Sequence, residues 1–222
     1  MATRRTYGDG CAIARGLDLV GERWALLVVR ELLLGPKRYT DLQRGLPNAS
    51  PNVLSERLRE LERDGVVRRR KLPPPAGSRV YELTEWGRGL EDVVIALGHW
   101  GAHSPAPSGE APVGVDSMVL ALDSRFASGE ADGLHAVYEL RLGDDRFRID
   151  VADGEIELAR GEADGAGATI ETDPDTLAAV LWGGQSLTAT ERSGRITITG
   201  DRAAAKRFFG LFPVPDPAGL AR

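Results

Sequence analysis

YTDLQRGLPNASPNVLSERLRELERDGVVRRRKLPPPAGSRVYELT, residues 39–84, decides the fold of the first half of this 222-residue chain. Tyr39-Thr40-Asp41-Leu42 opens a short helix that stops near Gly45-Leu46-Pro47. Ser50-Pro51 starts a second helix that runs to Asp64-Gly65. Serine caps a helix well, and proline suits its first turn. The reciprocal capping box is absent, because Val53 stands where Glu or Gln would be needed. Val66 to Lys71 reads as a strand, Pro73 to Gly77 as a turn, and Arg79 to Thr84 as the return strand.

The second helix has two faces. Leu54, Leu58 and Leu61 follow i, i+4, i+7 spacing and form one apolar stripe. The opposite face carries Asn52, Glu56, Arg59 and Arg63, with Ser55 on the flank. Asn and Arg read adenine and guanine edges bidentately. A solvated surface helix would show a similar face, and the cationic hairpin that follows tips the reading toward DNA. A helix presented for the major groove beside a cationic two-stranded ribbon is the machinery of a winged-helix DNA-binding domain. Asn52, Ser55, Arg59 and Arg63 are then expected to address bases, with Ser50 at the helix cap. Lys37, Arg38, Tyr39, Arg68, Arg70, Lys71 and Arg79 are expected to hold phosphates or to place the wing in the minor groove. Strand alternation turns Arg69 to the other face.

Charge agrees with this placement. Lys37 to Tyr81 holds eleven Lys or Arg against five Asp or Glu, a local net of +6. Residues 1–104 carry a net of +4 and residues 105–222 a net of −9, which together give the chain's −5. An acidic second half is repelled by phosphate and is expected to face away from DNA.

The run Cys11 and Ile13, Gly21-Glu22-Arg23-Trp24, Leu26 to Leu32, Gly35-Pro36-Lys37-Arg38-Tyr39, Leu54 to Leu61, Asp64-Gly65 and Tyr81 to Gly87 resembles the HxlR family of bacterial winged-helix regulators. The resemblance spans about residues 8–103. It implies a dimeric transcription factor on an inverted-repeat operator of double-stranded DNA. It also implies a dimer interface built from an N-terminal helix, Cys11 to Val20, and a helix after the wing, Trp86 to His99.

Residues 101–112 are rich in Pro, Gly, Ser and Ala, lack apolar periodicity and read as a linker. The expected organisation is a DNA-binding and dimerisation domain over 1–103, a linker over 104–112, a second domain over 113–214 and a tail over 215–222. The second domain opens with Met118, Leu122 and Phe126 at helical spacing between Asp116 and Gly129. Period-2 strands follow around Tyr138 and Leu140, and around Phe147, Ile149 and Val151. Asp153-Gly154 is a hairpin signal leading to Ile156 and Leu158. Ala168 to Thr172 is a strand, Asp173-Pro174 starts a helix through Trp182, Arg195 to Thr199 is a fifth strand, and Gly200-Asp201 launches a last helix through Phe212. Short turns favour a mainly antiparallel five-stranded sheet covered by helices, so the fold class is α+β throughout.

This order, from Phe126 through Gly194 to Asp201, resembles the sterol-carrier-protein-like domain. That resemblance implies an apolar tunnel for fatty-acyl, sterol-like or other apolar molecules. Phe126, Tyr138, Phe147, Leu177, Leu181, Trp182, Phe208 and Phe212 are the candidate ligand-binding residues, and the same side chains would equally fill a core.

Cys11 is the lone cysteine, which rules out an internal disulfide and fits a reducing cytoplasm. It is a candidate redox or electrophile sensor with Arg15 one turn on; the competing reading is a small buried residue of a dimer helix. His99 and His103 share an i, i+4 face, but no carboxylate or thiol at close spacing completes a metal set, and His135 is isolated. No phosphate-binding glycine loop, nucleophile elbow or framed carboxylate pair is present. No catalytic residue, metal, cofactor or membrane partner is expected; the longest apolar run, Trp24 to Val29, is far too short to span a bilayer. A ligand-responsive cytoplasmic homodimeric regulator is therefore expected. Its rivals are a thiol-switch regulator with a structural second domain, and a lipid-binding carrier that does not bind DNA.

Overall fold

Three leucines on one helix organise the first unit. A computed structural model describes residues 6–74, 77–104 and 112–214, and the chain divides into two compact units, residues 1–94 and 95–222. The first unit runs α1 (Ala12–Val20), α2 (Ala25–Leu33), α3 (Tyr39–Gly45), α4 (Pro51–Arg63), β1 (Val67–Lys71), β2 (Arg79–Leu83) and α5 (Glu85–Arg88), and enters α6 (Glu91–Ala102). Leu54, Leu58 and Leu61 of α4 are fully buried, as are Val28, Val29 and Leu32 of α2 and Leu42 of α3. Burying each such side chain contributes roughly 1.5–3 kcal/mol. Ser50 caps α4 by accepting a hydrogen bond from the Val53 N–H at 3.4 Å, with Pro51 in the first turn. Gly65 ends the helix in the left-handed region, at φ 75°, where a side chain is disfavoured.

β1 and β2 form an antiparallel hairpin with Arg68 opposite Glu82, Arg70 opposite Val80 and Lys71 opposite Arg79. The segment before α3 joins it through Lys37, whose N–H donates to the Tyr81 carbonyl at 3.0 Å while Tyr81 N–H donates back at 2.8 Å. The hairpin is thereby fixed to the helical body on both sides. Residues 75 and 76 of its expected turn, most of the expected linker and the expected tail from 215 lie outside the described residues.

The helix expected from Trp86 to His99 is two helices. α5 starts on Thr84, whose hydroxyl accepts from Gly87 N–H at 2.9 Å, and α6 begins at Glu91. Gly87 and Gly89 lie on either side of Arg88, where each lowers helix propensity. The division between the two units falls inside α6.

The second unit continues with α7 (Val115–Ser124), a single 3-10 turn at Ser128–Ala131, β3 (Ala136–Leu142), β4 (Asp145–Ala152), β5 (Glu155–Arg160), β6 (Ala168–Thr172), α8 (Pro174–Leu181), α9 (Leu187–Arg192), β7 (Thr197–Gly200) and α10 (Arg202–Gly210). Its sheet has the order β5-β4-β3-β6-β7. Three of the four pairings are antiparallel, but β3 and β6 run parallel, with Leu140 opposite Ile170, so the sheet is mixed. The fold class is α+β. Tyr138, Leu140, Phe147, Ile149, Val151 and Ile170 share the buried face with Phe208 of α10, Met118 and Leu122 of α7, and Leu177 of α8.

Two further expectations change. α7 stops at Ser124 rather than Gly129, because Ala127 N–H leaves the helix to bond the Leu211 carbonyl at 2.9 Å. α9 was not expected; it is a short helix capped by Ser186, too short to show a period. The Asp153-Gly154 hairpin is as read: both residues have positive φ, 54° and 76°, the pattern of a type I′ turn.

Candidate nucleic-acid interface

α4 offers solvent the face that the leucines leave free. Asn52, Glu56, Arg59 and Arg63 are exposed, and Ser55 is half-buried on the flank. Arg63 reaches Asp64 at 3.3 Å. Arg59 makes no side-chain hydrogen bond or ion pair among the described residues, so its guanidinium fork is available to a partner outside the chain.

Tyr39, expected at the duplex, ties α3 to α4. Its hydroxyl donates to the Pro51 carbonyl at 2.9 Å and receives a hydrogen bond from the Ser55 hydroxyl at 3.3 Å. Lys37 is held by a carboxylate: its Nζ lies 2.7 Å from Glu31, which is 2% exposed and also takes Arg30 at 2.8 Å. Arg38 is exposed at the start of α3, where its backbone N–H donates to Asp41 at 3.3 Å.

The hairpin cations fall into two groups. Arg68 and Arg70 both reach the carboxylate of Glu82, each at 2.8 Å, and Glu82 is 6% exposed. Arg69 points the other way, to Glu62 at 3.1 Å and over the Tyr81 ring. At the far end Lys71 and Arg79 stand opposite each other in register, both exposed and neither in an ion pair among the described residues. Like charges directly opposite are destabilising in a sheet. An anion between them would remove that cost.

The structure adds residues that the sequence reading did not place here. Arg23, Trp24, Asn48, Ser50, Val53 and Arg57 line an open depression of about 440 Å³ at the N-terminal end of α4. Trp24 sits there with φ 77°, a left-handed conformation rare for a bulky residue, and Arg23 lies over its ring. Trp24 and Val53 make the hollow largely apolar, with Arg23, Asn48 and Ser50 as polar groups beside the helix start, where an anion is favoured. The Arg23-Trp24 pair was visible in sequence, but its position beside α4 was not.

Cys11 is exposed at the N-terminus of α1, not buried within it. The backbone N–H groups of Ala14 and then Ile13, close by at the helix start, pull its thiol below the ordinary value. In the second unit the His99 and His103 rings lie 4.8 Å apart, tilted against each other, and their Nδ1 atoms face the carbonyls of Ser124 and His99. No group of three metal-binding side chains occurs among the described residues.

The eight candidate ligand-binding residues divide. Tyr138, Phe147, Leu177, Leu181, Phe208 and Phe212 are buried, and the rings of Tyr138, Phe208 and Phe212 pack edge to face at 5.1–5.2 Å. Only Phe126 and Trp182 are half-buried. No helix of the described residues is long and apolar enough to cross a membrane.

The family model described as HxlR-like helix-turn-helix matches residues 19–108. Residues 114–218, the region expected to resemble the sterol-carrier-protein-like domain, match the model described as alkyl sulfatase C-terminal. The uncharacterized HTH-type transcriptional regulator YvaP of Bacillus subtilis is 37% identical over 94 residues, 42% of this chain and 87% of that one. Among solved structures, the HTH-type transcriptional regulator ytcD is 36% identical, with 41% of this chain and 94% of that one covered at a TM-score of 0.39. The reduced form of the transcriptional regulator YodB from B. subtilis is 32% identical, with 46% and 100% covered, also at 0.39.

Proposed function

The chain belongs to the HxlR-like helix-turn-helix family of transcriptional regulators, and on that premise we propose that it binds an inverted-repeat operator as a homodimer and answers to an apolar small molecule taken up by its second unit. The observation that carries the DNA reading is the face of α4, where Asn52 and Arg59 stand exposed on a helix whose other side is fully buried. Arg59 and Asn52 address base edges in the major groove, with Arg63 and Ser55 beside them. Lys71 and Arg79 meet phosphates at the end of the wing, and Arg23 and Ser50 meet them at the start of α4.

Exposed apolar side chains support the dimer. Ile13 is 75% exposed on α1, and Leu17, Trp86 and Val93 are also open to solvent. Leu19, Val20, Trp86 and Leu90 line a mainly apolar groove of about 180 Å³. Apolar surface of this kind marks a protein contact. Two protomers would then set two copies of α4 one helical turn apart on the duplex, about 34 Å. A ligand shifts that arrangement only through different affinities for the DNA-competent and incompetent states. The half-buried Phe126 and Trp182 support such a site.

A salt titration of duplex binding tests the reading. Affinity should fall steeply as salt rises, because each neutralised phosphate releases counterions. A flat response, or no binding to any genomic fragment, overturns it in favour of a carrier.

A second reading, an electrophile- or oxidant-sensing switch at Cys11, is favoured by the exposed thiol at a helix N-terminus. With its pKa lowered, the thiolate is present at a lower pH than in an ordinary cysteine. The alkylation rate should therefore rise with a midpoint below that of an unstructured cysteine peptide. Cys11→Ser should abolish an oxidant response and leave a small-molecule response intact.

A further inference from the structure

The second unit pairs its arginines with care. Arg141 and Arg146 reach Glu139, Arg148 reaches Asp150, Arg160 reaches Asp116, and Arg202 reaches Glu191. Arg192 and Arg195 are exposed and make no ion pair among the described residues, whereas Arg125 lacks one while partly buried. It is half-buried at the end of α7 and makes no ion pair or side-chain hydrogen bond among the described residues. Its guanidinium lies 4.0 Å from the ring centroid of Trp182, at the end of α8, and burial pulls its pKa below the usual value. The Trp182 Nε1–H is buried and has no acceptor among the described residues. A partly desolvated guanidinium with no carboxylate and a buried indole N–H with no acceptor among the described residues therefore sit side by side, where a desolvated donor is normally satisfied.

We infer that Arg125 and Trp182 form the head-group site for a small monoanionic carboxylate with an apolar body. The guanidinium fork matches a carboxylate in geometry, and the indole N–H adds a third donor. Phe126, next in sequence and half-buried, packs on Phe212 at 6.3 Å, and Phe212 on Phe208 at 5.1 Å. The apolar body lies against Phe126 at the edge of this row of rings. A nucleic-acid phosphate is excluded by charge, since residues 105–222 carry a net of −9 and repel a polyanion. The inference rests on the reading that the second unit takes up a small molecule, and it names the chemistry that unit selects.

The test titrates the full chain with octanoate and with octanol, by calorimetry and by following the indole N–H resonances. Octanoate should saturate at one per chain and bind at least tenfold more tightly than octanol. Arg125→Gln should lose about tenfold for octanoate and leave octanol unchanged. The indole resonance missing from Trp182→Phe should move as octanoate is added to the unmodified protein, a readout that survives if the arginine variant fails to fold. Octanol binding as tightly as octanoate would overturn the anion site while leaving uptake of an apolar molecule standing. Binding of neither would overturn both, and neither result touches the DNA reading.

Discussion

Arg59 on α4 and Arg68 on β1 are both exposed cations of one basic unit, yet they are in opposite situations. Arg68 shares the buried Glu82 carboxylate with Arg70, so the middle of the hairpin is partly neutralised from within. Among the described residues Arg59 has no partner, and Lys71 faces Arg79 with no carboxylate bound to either. A run of basic residues is therefore not one binding surface. Only the cations that the fold leaves unpaired retain their full attraction for an outside anion, because a paired one must first give up its own hydrogen bonds.

The contrast can be broken at its base. Leu58→Ala empties a fully buried position under α4 and should cost ~2–5 kcal/mol of stability, measured by urea unfolding. A loss under 1 kcal/mol would mean that α4 is not the rigid platform its free face requires. Arg59→Ala should weaken operator binding by ~1–3 kcal/mol per site and blur sequence preference in a competition assay. Unchanged discrimination would misassign the reading face. Lys71→Ala should reduce the salt slope of binding by ~1 with little effect on preference, and Arg68→Ala should reduce it by less. Equal effects would erase the distinction between paired and unpaired cations. Glu82→Gln sharpens it from the other side. Releasing Arg68 and Arg70 should raise non-specific affinity a few-fold at low salt and steepen the slope.

α4 was legible because its signals are local: a cap, a proline, a period of 3.6 and a stop within fifteen residues or so. Its placement beside Trp24 was not, since that contact joins residues far apart in sequence. The hairpin was legible as a hairpin, and its register would have put Arg68 opposite Glu82, so the internal neutralisation left a signal that strand assignment alone does not use. The break between α5 and α6 was masked by apolar residues that keep helical spacing across Gly87 and Gly89. In the second unit the strands and the type I′ turn could be read from alternation, but the parallel pairing of β3 with β6 spans some thirty residues and has no local mark. Phe126 kept the helical period beyond Ser124 although the backbone had already turned toward Leu211. The same residue type at the same spacing serves a helix or a loop, and tertiary hydrogen bonding decides which.

The hydroxyl of Ser55 has already spent its proton on Tyr39. What remains to it is a pair of lone electron pairs directed away from that bond, so if α4 enters the groove as proposed, Ser55 would act there as an acceptor. Adenine through its N6 amino group and cytosine through its N4 amino group offer the complementary hydrogens, whereas the O6 of guanine and the O4 of thymine do not. On that proposal, a tyrosine one helix away would tilt the alphabet that position 55 of α4 can spell.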